Sequence, residues 1–224
     1  MSLIRNFATG ALIASLSGSG AYAGTTTLFD NTAVASARIE GVSSSTQGPL
    51  AESFSGGATN LILQSLKLDL MAATPRDGGS FVVTLYSNVS GLPGSLLATL
   101  GSVLDSSLTT TGALYNVPNL SVLNITLSSS TKYWIVLTEF IDGVPPTSAG
   151  WILATDGTGI GTAGQSGLSA TNSTFDTKDA TPFVMVLTAT DVPAPEPATL
   201  ALLGVGLAGI GWARGRRTAS VRKG

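Results

Sequence analysis

The chain has 224 residues, of which 43% are hydrophobic and 11% are charged, a length and composition that suit one domain with a full hydrophobic core. It contains no cysteine and no histidine. These absences exclude disulfides, cysteine nucleophiles, Ser-His-Asp triads, zinc sites with nitrogen or sulfur ligands, and haem held by histidine.

Residues 1–23 have the pattern of a secretory signal peptide. Arg5 precedes an apolar run over 7–16, and small residues then lead to Ala21-Tyr22-Ala23. Signal peptidase cleaves after Ala-x-Ala triplets, so we predict cleavage between Ala23 and Gly24, with the chain leaving the cytoplasm. The alternative, an ordinary N-terminal helix, is disfavoured because the apolar run is only about ten residues long and ends in serine and glycine.

Residues 24–191 read as one β domain. Apolar and polar residues alternate with period two in segments 66–70, 81–86, 96–104, 123–127, 133–140, 150–154 and 183–190. Turn residues separate them at 77–79, 90–94, 111–112, 142–146 and 156–157. Since no long stretch has the helical period, we predict an all-β fold, an antiparallel β-sandwich of about eight strands that is jelly-roll-like, with a closed barrel as the alternative.

The charge of this domain limits its partners. From Gly24 to Pro197 the chain has five basic and thirteen acidic residues, a formal charge of −8. Such a surface repels phosphates and anionic lipid, so no nucleic-acid partner is expected.

Acidic pairs are the first candidates for catalysis. Two carboxylates could hydrolyse a glycosidic bond, and the pairs with suitable spacing are Glu139 with Asp142 and Asp176 with Asp179. We interpret them as solvated loop carboxylates, because turns select aspartate for its backbone hydrogen bonds. A glycosidase is therefore the least favoured function.

A calcium-binding loop, an aspartic-protease loop and a lysine base are also only weakly indicated by the sequence. The segment Asp156-Gly157-Thr158-Gly159 resembles a calcium-loop or aspartic-protease fragment, but it lacks repeated oxygen ligands and a second copy, so a turn is predicted. A lysine that activates a serine must be buried so that its pKa is lowered, but Lys67 and Lys132 occupy polar positions of their strands. No catalytic residue, metal site or cofactor is predicted.

Aromatic residues suggest the more serious alternative, carbohydrate binding. Sugars stack on exposed rings, and Trp151 is the first candidate because it opens a strand after the 145–146 proline loop, followed by Tyr115, Tyr86 and Phe175. Tyr133 and Trp134 are expected in the core and at its rim. The sugar would be an exopolysaccharide.

The C-terminal residues form three successive segments. Residues 192–197 are a proline-rich linker, residues 198–213 carry no charge, and residues 214–224 are basic, with Arg214, Arg216 and Arg217 at their start. A 16-residue helix is about 24 Å long, slightly shorter than the bilayer core of about 30 Å. We predict a transmembrane helix over 198–213 and a cytoplasmic tail over 214–224, which places the body outside.

Two other interpretations of the apolar segment are disfavoured. A buried core helix would need a polar face, and only Thr199 is polar. The residues 204–209 fit the dinucleotide fingerprint G-x-G-x-x-G, but prolines precede them and the chain ends before an acidic partner could follow.

The tail resembles a known sorting signal. Pro195-Glu196-Pro197, the apolar segment and the arginine cluster follow each other as in the PEP-CTERM signal of Gram-negative bacteria that make exopolysaccharide. The resemblance implies that an exosortase, a membrane protease, processes the chain near 195–197. Unlike the usual signal, this chain continues through residues 218–224.

The body resembles the choice-of-anchor R family of exported bacterial domains. The similarity covers roughly residues 47–137 and includes Glu52-Ser53-Phe54, the segment 85–100 with its Leu-Tyr-Ser and Gly-Leu-Pro-Gly motifs, and 131–137. It implies a secreted β domain that awaits an anchor, without an established activity.

Together these patterns predict an exported, non-enzymatic protein of the cell envelope, outer surface or extracellular matrix, with a structural or adhesive role. It would be held transiently in the inner membrane by its C-terminal helix, and signal peptidase and an exosortase would be its processing partners. A module that binds exopolysaccharide is the alternative.

Overall fold

The computed structural model describes residues 24–42, 48–72, 79–140, 149–171, 174–178 and 181–192, together with 204, 206 and 207. Within these residues the chain forms short 3-10 helices at Thr32–Val34, Asp105–Ser107 and Leu120–Leu123. Its strands are β1 (Thr25–Asp30), β2 (Ala35–Gly41), β3 (Leu50–Ser55), β4 (Leu61–Ala72), β5 (Ser80–Val89), β6 (Leu92–Leu104), β7 (Ala113–Asn116), β8 (Thr126–Leu127), β9 (Lys132–Phe140), β10 (Ala149–Ala154), β11 (Gly167–Thr171), β12 (Thr174–Lys178) and β13 (Met185–Asp191).

The strands form two sheets. Sheet A has the order β1-β13-β4-β10-β2, with β7 and β8 also paired to β4, and sheet B has the order β12-β11-β3-β9-β5-β6. Every strand pair is antiparallel. The predicted all-β, antiparallel class is confirmed.

One hydrophobic core lies between the two sheets. It combines inward side chains of sheet A, such as Leu68 on β4 and Leu187 on β13, with those of sheet B, such as Phe54, Val83 and Leu137. All five are fully buried. Because strands alternate their side chains between two faces, each sheet turns its apolar face to the other, the layering expected of a β-sandwich.

β4 contains a bulge that keeps two of its leucines on the core face. Leu63 and Leu66 both point into the core although they are three residues apart, and the register with β13 shifts between them. The two residues between them, Gln64 and Ser65, are partly exposed and bond to threonines of β13. An extra residue in one strand is the defining feature of a β-bulge.

One predicted strand is wrong. Residues 123–127 alternate in sequence, but only Thr126 and Leu127 form a strand, and the chain before them is a 3-10 helix. The helix lies between Asn119 and Asn124, which both have left-handed backbones, with φ of 61° and 48°. Asparagine adopts this conformation more readily than other side chains, so the two asparagines interrupt the extended chain.

Several predicted elements lie outside the described residues. These are the signal helix within 1–23, the linker after Val192, the tail 214–224, and the apolar helix 198–213 apart from Gly204, Gly206 and Leu207, which are helical. Among the helices that the structure describes, none has the length and apolar character to cross a membrane.

Candidate sorting junction and binding surfaces

The junction between the body and the C-terminal segments is held by backbone pairing. β13 ends at Asp191, whose carboxylate accepts a hydrogen bond of 3.4 Å from the Thr59 hydroxyl. The next residue, Val192, donates its N–H to the Asn60 carbonyl at 3.5 Å and is 42% exposed. The proline-rich linker therefore begins one residue after the last strand ends.

The two chain ends of the body meet at one end of sheet A. β1 pairs antiparallel with β13, with Thr25 opposite Thr190. Gly24, the predicted first residue after signal cleavage, is exposed beside this pair. The two segments that processing enzymes are predicted to recognise thus leave the fold from adjacent strands.

The residues of the two processing signals are outside the part of the chain that the structure describes, except Gly24. This applies to Ala21 and Ala23 at the signal-peptide site, and to Pro195, Glu196, Pro197, Arg214, Arg216 and Arg217 in the sorting signal. Their roles remain predictions from the sequence.

Trp151 does not offer a ring to solvent, so its predicted role as a glycan contact is wrong. Its side chain is fully buried and stacks on Phe183 with ring centroids 5.0 Å apart. Its Nε1 donates to the Val184 carbonyl at 2.8 Å. Every residue of β10 is buried, because a second apolar cluster around Ile152 covers its other face.

Tyr115, the second candidate for a glycan contact, has part of its side chain in the interior. It is partly buried, packs against the core cluster and has a buried hydroxyl oxygen. The hydroxyl end of the ring is enclosed while part of the side chain stays exposed, so the glycan contact at Tyr115 remains a prediction from the sequence.

The remaining rings lie on the outer face of sheet B. Trp134 and Val136 of β9 are buried there with Ala51 and Leu168, and Tyr86 and Phe175 pack against them while staying partly exposed. We call these six residues the outer-face cluster. In the sequence, this cluster is indicated by the uninterrupted apolar run 133–137, a pattern typical of a strand that is covered on both faces. All five of these residues are buried in the structure.

The indole of Trp134 is fixed by a polar neighbour. Its Nε1 donates to Asn88 Oδ1 at 3.0 Å. Tyr133, one residue earlier, faces the opposite side, stacks on Phe54 at 5.6 Å and accepts a hydrogen bond from the Ser128 N–H at its hydroxyl. The expectation that these two rings lie in the core and its rim is confirmed.

Two buried polar residues were not identified from the sequence. Glu52 on β3 is fully buried, and its Oε2 accepts the Phe183 N–H at 2.8 Å. Asn31 is 1% exposed and forms two hydrogen bonds to the segment that leads into β13. Their partners are 131 to 154 residues away in sequence, so no local pattern could have indicated them.

The other candidate groups show ordinary surface geometry. Asp156 Oδ1 accepts hydrogen bonds from the Thr158 hydroxyl and N–H, which confirms the turn and lowers the pKa of Asp156. Lys67 is exposed, and Lys132 donates to the Gly164 carbonyl at 2.7 Å. The side chains of Glu139, Asp142, Asp176 and Asp179 lie outside the described residues.

One further carboxylate is partly buried. Asp69 of β4 has a buried Oδ1 that accepts no hydrogen bond from any described residue. Desolvation raises the pKa of Asp69 above its ordinary value. Within the described part of the chain, no three acidic side chains come together in a group that could hold a metal ion.

Comparison with known families identifies the C-terminal segment. Residues 193–217 match the PEP-CTERM protein-sorting motif. This motif implies processing by an exosortase and export to the cell envelope or surface. No curated protein matches the chain.

Proposed function

We propose that this protein is a secreted, exosortase-processed component of the cell surface or extracellular matrix, with a structural or adhesive role and no enzymatic activity. The observation that carries the proposal is the sorting motif at 193–217, which starts two residues after β13 ends at the exposed Asp191. Signal peptidase would release the N-terminus at Gly24, and the C-terminal helix would hold the body at the inner membrane until exosortase acts.

The strand connectivity supports a jelly-roll body. Eight strands, taken in chain order as β1, β3, β4, β5, β6, β7, β9 and β13, give sheets ordered first-eighth-third-sixth and second-seventh-fourth-fifth. Two Greek keys wound together produce this order. β2, β8, β10, β11 and β12 are additions to this framework. The resemblance of residues 47–137 to choice-of-anchor R domains remains a prediction from the sequence, because the family match covers residues 193–217 and not the body.

A structural role also agrees with how the rings are used. Trp134 and Trp151 are fully buried, and both indole N–H groups donate to protein oxygens. These two tryptophans are therefore unavailable to stack on a sugar. With no cysteine in the chain, core packing and sheet pairing supply the stability of the exported domain.

Binding of exopolysaccharide is the second candidate, and the outer-face cluster is the observation that favours it. Tyr86 and Phe175 stay partly exposed over a buried base that includes Trp134, and apolar ring faces next to polar groups such as Asn88 are what sugars contact. A Tyr86→Ala variant should lose co-sedimentation with the host polysaccharide, whereas a Leu114→Ala control on sheet A should retain it.

The test of the main proposal is the intact mass of the protein recovered from the surface and medium of its host, with terminal peptides mapped. We expect a species that starts at Gly24 and ends near 195–197. A Glu196→Ala variant should keep its C-terminal segment, whereas the neighbouring Val192→Ala control should be processed normally. A wild-type species that retains Trp212 and the arginine cluster would overturn processing by exosortase.

A further inference from the structure

The end of the body from which the sorting segment leaves is held together by hydrogen bonds between separate parts of the chain. The Ser130 N–H donates to the Gly57 carbonyl at 2.8 Å, and the Ser129 N–H donates to Asn60 Oδ1 at 2.9 Å. The Asn60 carbonyl accepts the Val192 N–H at 3.5 Å. Two loops and the end of β13 are therefore bonded to one another beside the start of the linker. We call residues 58–60, 128–131 and 191–192 the end face.

The end face consists of small side chains with little charge. All of its residues are exposed, and apart from Asp191 they are alanine, valine, serine, threonine and asparagine. The Asp191 carboxylate accepts a hydrogen bond from the Thr59 hydroxyl within the face. The body as a whole has a formal charge of −8, so this end differs from its average surface. Since charged residues are depleted from the centres of protein interfaces, the end face is suited to close approach by another protein.

The sequence after β13 limits how far a processing enzyme can be from this face. Pro195 and Pro197 follow Val192 by three and five residues. A fully extended chain spans at most about 3.6 Å per residue, so the two prolines reach no further than about 11 Å and 18 Å from Val192. A folded domain of this size is about 40 Å across. An enzyme that binds residues 195–197 is therefore closer to Val192 than the body is wide.

We infer that the end face is the surface of the body against which the exosortase docks while it processes residues 195–197. A protease holds its substrate segment in a concave site, and the short linker brings the rim of that site against the residues around Val192. Small side chains on loops that are bonded together accommodate this rim without a clash. The inference rests on the exosortase processing proposed above, and it adds a recognition surface on the folded body to the motif in the tail.

Enlarging one side chain of the end face tests this docking. Ser129 forms its hydrogen bonds through its backbone N–H and carbonyl, so a Ser129→Tyr variant keeps them while its ring projects from the face. In a pulse–chase experiment with the full chain in its host, C-terminal processing of Ser129→Tyr should be slowed by about 10-fold, because the ring clashes with the docked enzyme. Ala58→Tyr, on the neighbouring loop, should have the same effect.

The matched control lies at the opposite end of the body. β4 begins at Leu61, next to the end face, and its 12 residues end at Ala72 about 36 Å away. The Ala72 N–H donates to the Thr109 carbonyl, and the following Thr110 is exposed. A Thr110→Tyr variant therefore adds the same ring far from the linker, and it should be processed at the wild-type rate.

A longer linker separates a docking defect from a folding defect. Inserting Gly-Ser-Gly-Ser-Gly between Val192 and Pro193 adds up to about 18 Å of reach, so it should restore wild-type processing to Ser129→Tyr. Equal processing rates for wild type, Ser129→Tyr and Ala58→Tyr would overturn the docking surface and leave the sorting proposal intact. Slow processing of Ser129→Tyr that the insertion does not restore would also overturn it. A wild-type chain that is never processed would overturn the sorting proposal itself, so the two failures are distinguishable.

Discussion

The buried amide of Asn31 is expected to be a main stabilising contact between the two ends of the body. Its Nδ2 donates to the Phe183 carbonyl at 3.0 Å, and its Oδ1 accepts the Met185 N–H at 3.0 Å. Asn31 follows β1, and the two backbone groups flank the start of β13. All three residues are almost completely buried, so water cannot replace the lost bonds.

Replacing Asn31 by leucine leaves both backbone groups without these partners. An unsatisfied buried group costs about 1–3 kcal/mol, and the added apolar side chain recovers about 1 kcal/mol or more. We expect the free energy of unfolding to fall by about 2–4 kcal/mol. For a domain of this size the melting temperature should fall by roughly 5–15 °C.

Urea denaturation of the protein spanning residues 24–197, followed by tryptophan fluorescence, measures this change. The dependence on urea should keep its slope while the midpoint shifts, since the core exposed on unfolding is unchanged. Asn116 is exposed on β7, and an Asn116→Leu control should stay within about 0.5 kcal/mol of the wild type. A similarly small loss for Asn31→Leu would show that the two hydrogen bonds do not hold the ends together.

Three further predictions test the assignments of single residues. Trp151→Ala should destabilise the domain by about 3–5 kcal/mol in the same assay, because it empties a fully buried site; loss of polysaccharide binding at unchanged stability would contradict its place in the core. In a carboxyl NMR titration the pKa of Asp69 should lie above 3.8 and that of Asp156 below it. Ionisation of Asp69 therefore destabilises the fold as the pH rises through its folded pKa, whereas the stability that ionised Asp156 contributes is lost as the pH falls through its folded pKa. The reverse order of the two pKa values would refute both environments. Gly150→Ala should prevent β10 from pairing, because the new Cβ would overlap the Glu40 carbonyl oxygen, and soluble, folded Gly150→Ala protein with wild-type stability would exclude that close approach.

The fold class was predictable because its signal is local. Alternation in 66–70 and 81–86 indicated strands directly, since one face of each strand is buried and the other faces outward. β3 and β11 were not predicted as strands, because Glu52, Ser53 and Ser169 interrupt their apolar pattern. Glu52 and Ser53 are buried only through contacts with Phe183 and Ser166, far along the chain.

The rings show the same division between local and distant information. The sequence placed Trp151 after a loop, where an exposed ring is plausible, but its burial depends on stacking with Phe183 from another part of the chain. The outer-face cluster was likewise assembled by pairing of β3, β9 and β11, so its members could not be grouped in advance. The sorting motif was recognisable because its residues are consecutive.

The strand order also sets when the body can fold. β13, the last strand, lies between β1 and β4, and Asn31 bonds to the segment immediately before and at its start. Sheet A therefore cannot be completed until the chain has been exported through Asp191, two residues before the sorting motif begins. An exported chain folds only what has already crossed the membrane, so completion of the sheet and arrival of the sorting motif at the membrane are consecutive events. The two ends of the body lie on neighbouring strands, so β1 can pair with β13 only when export has reached Asp191.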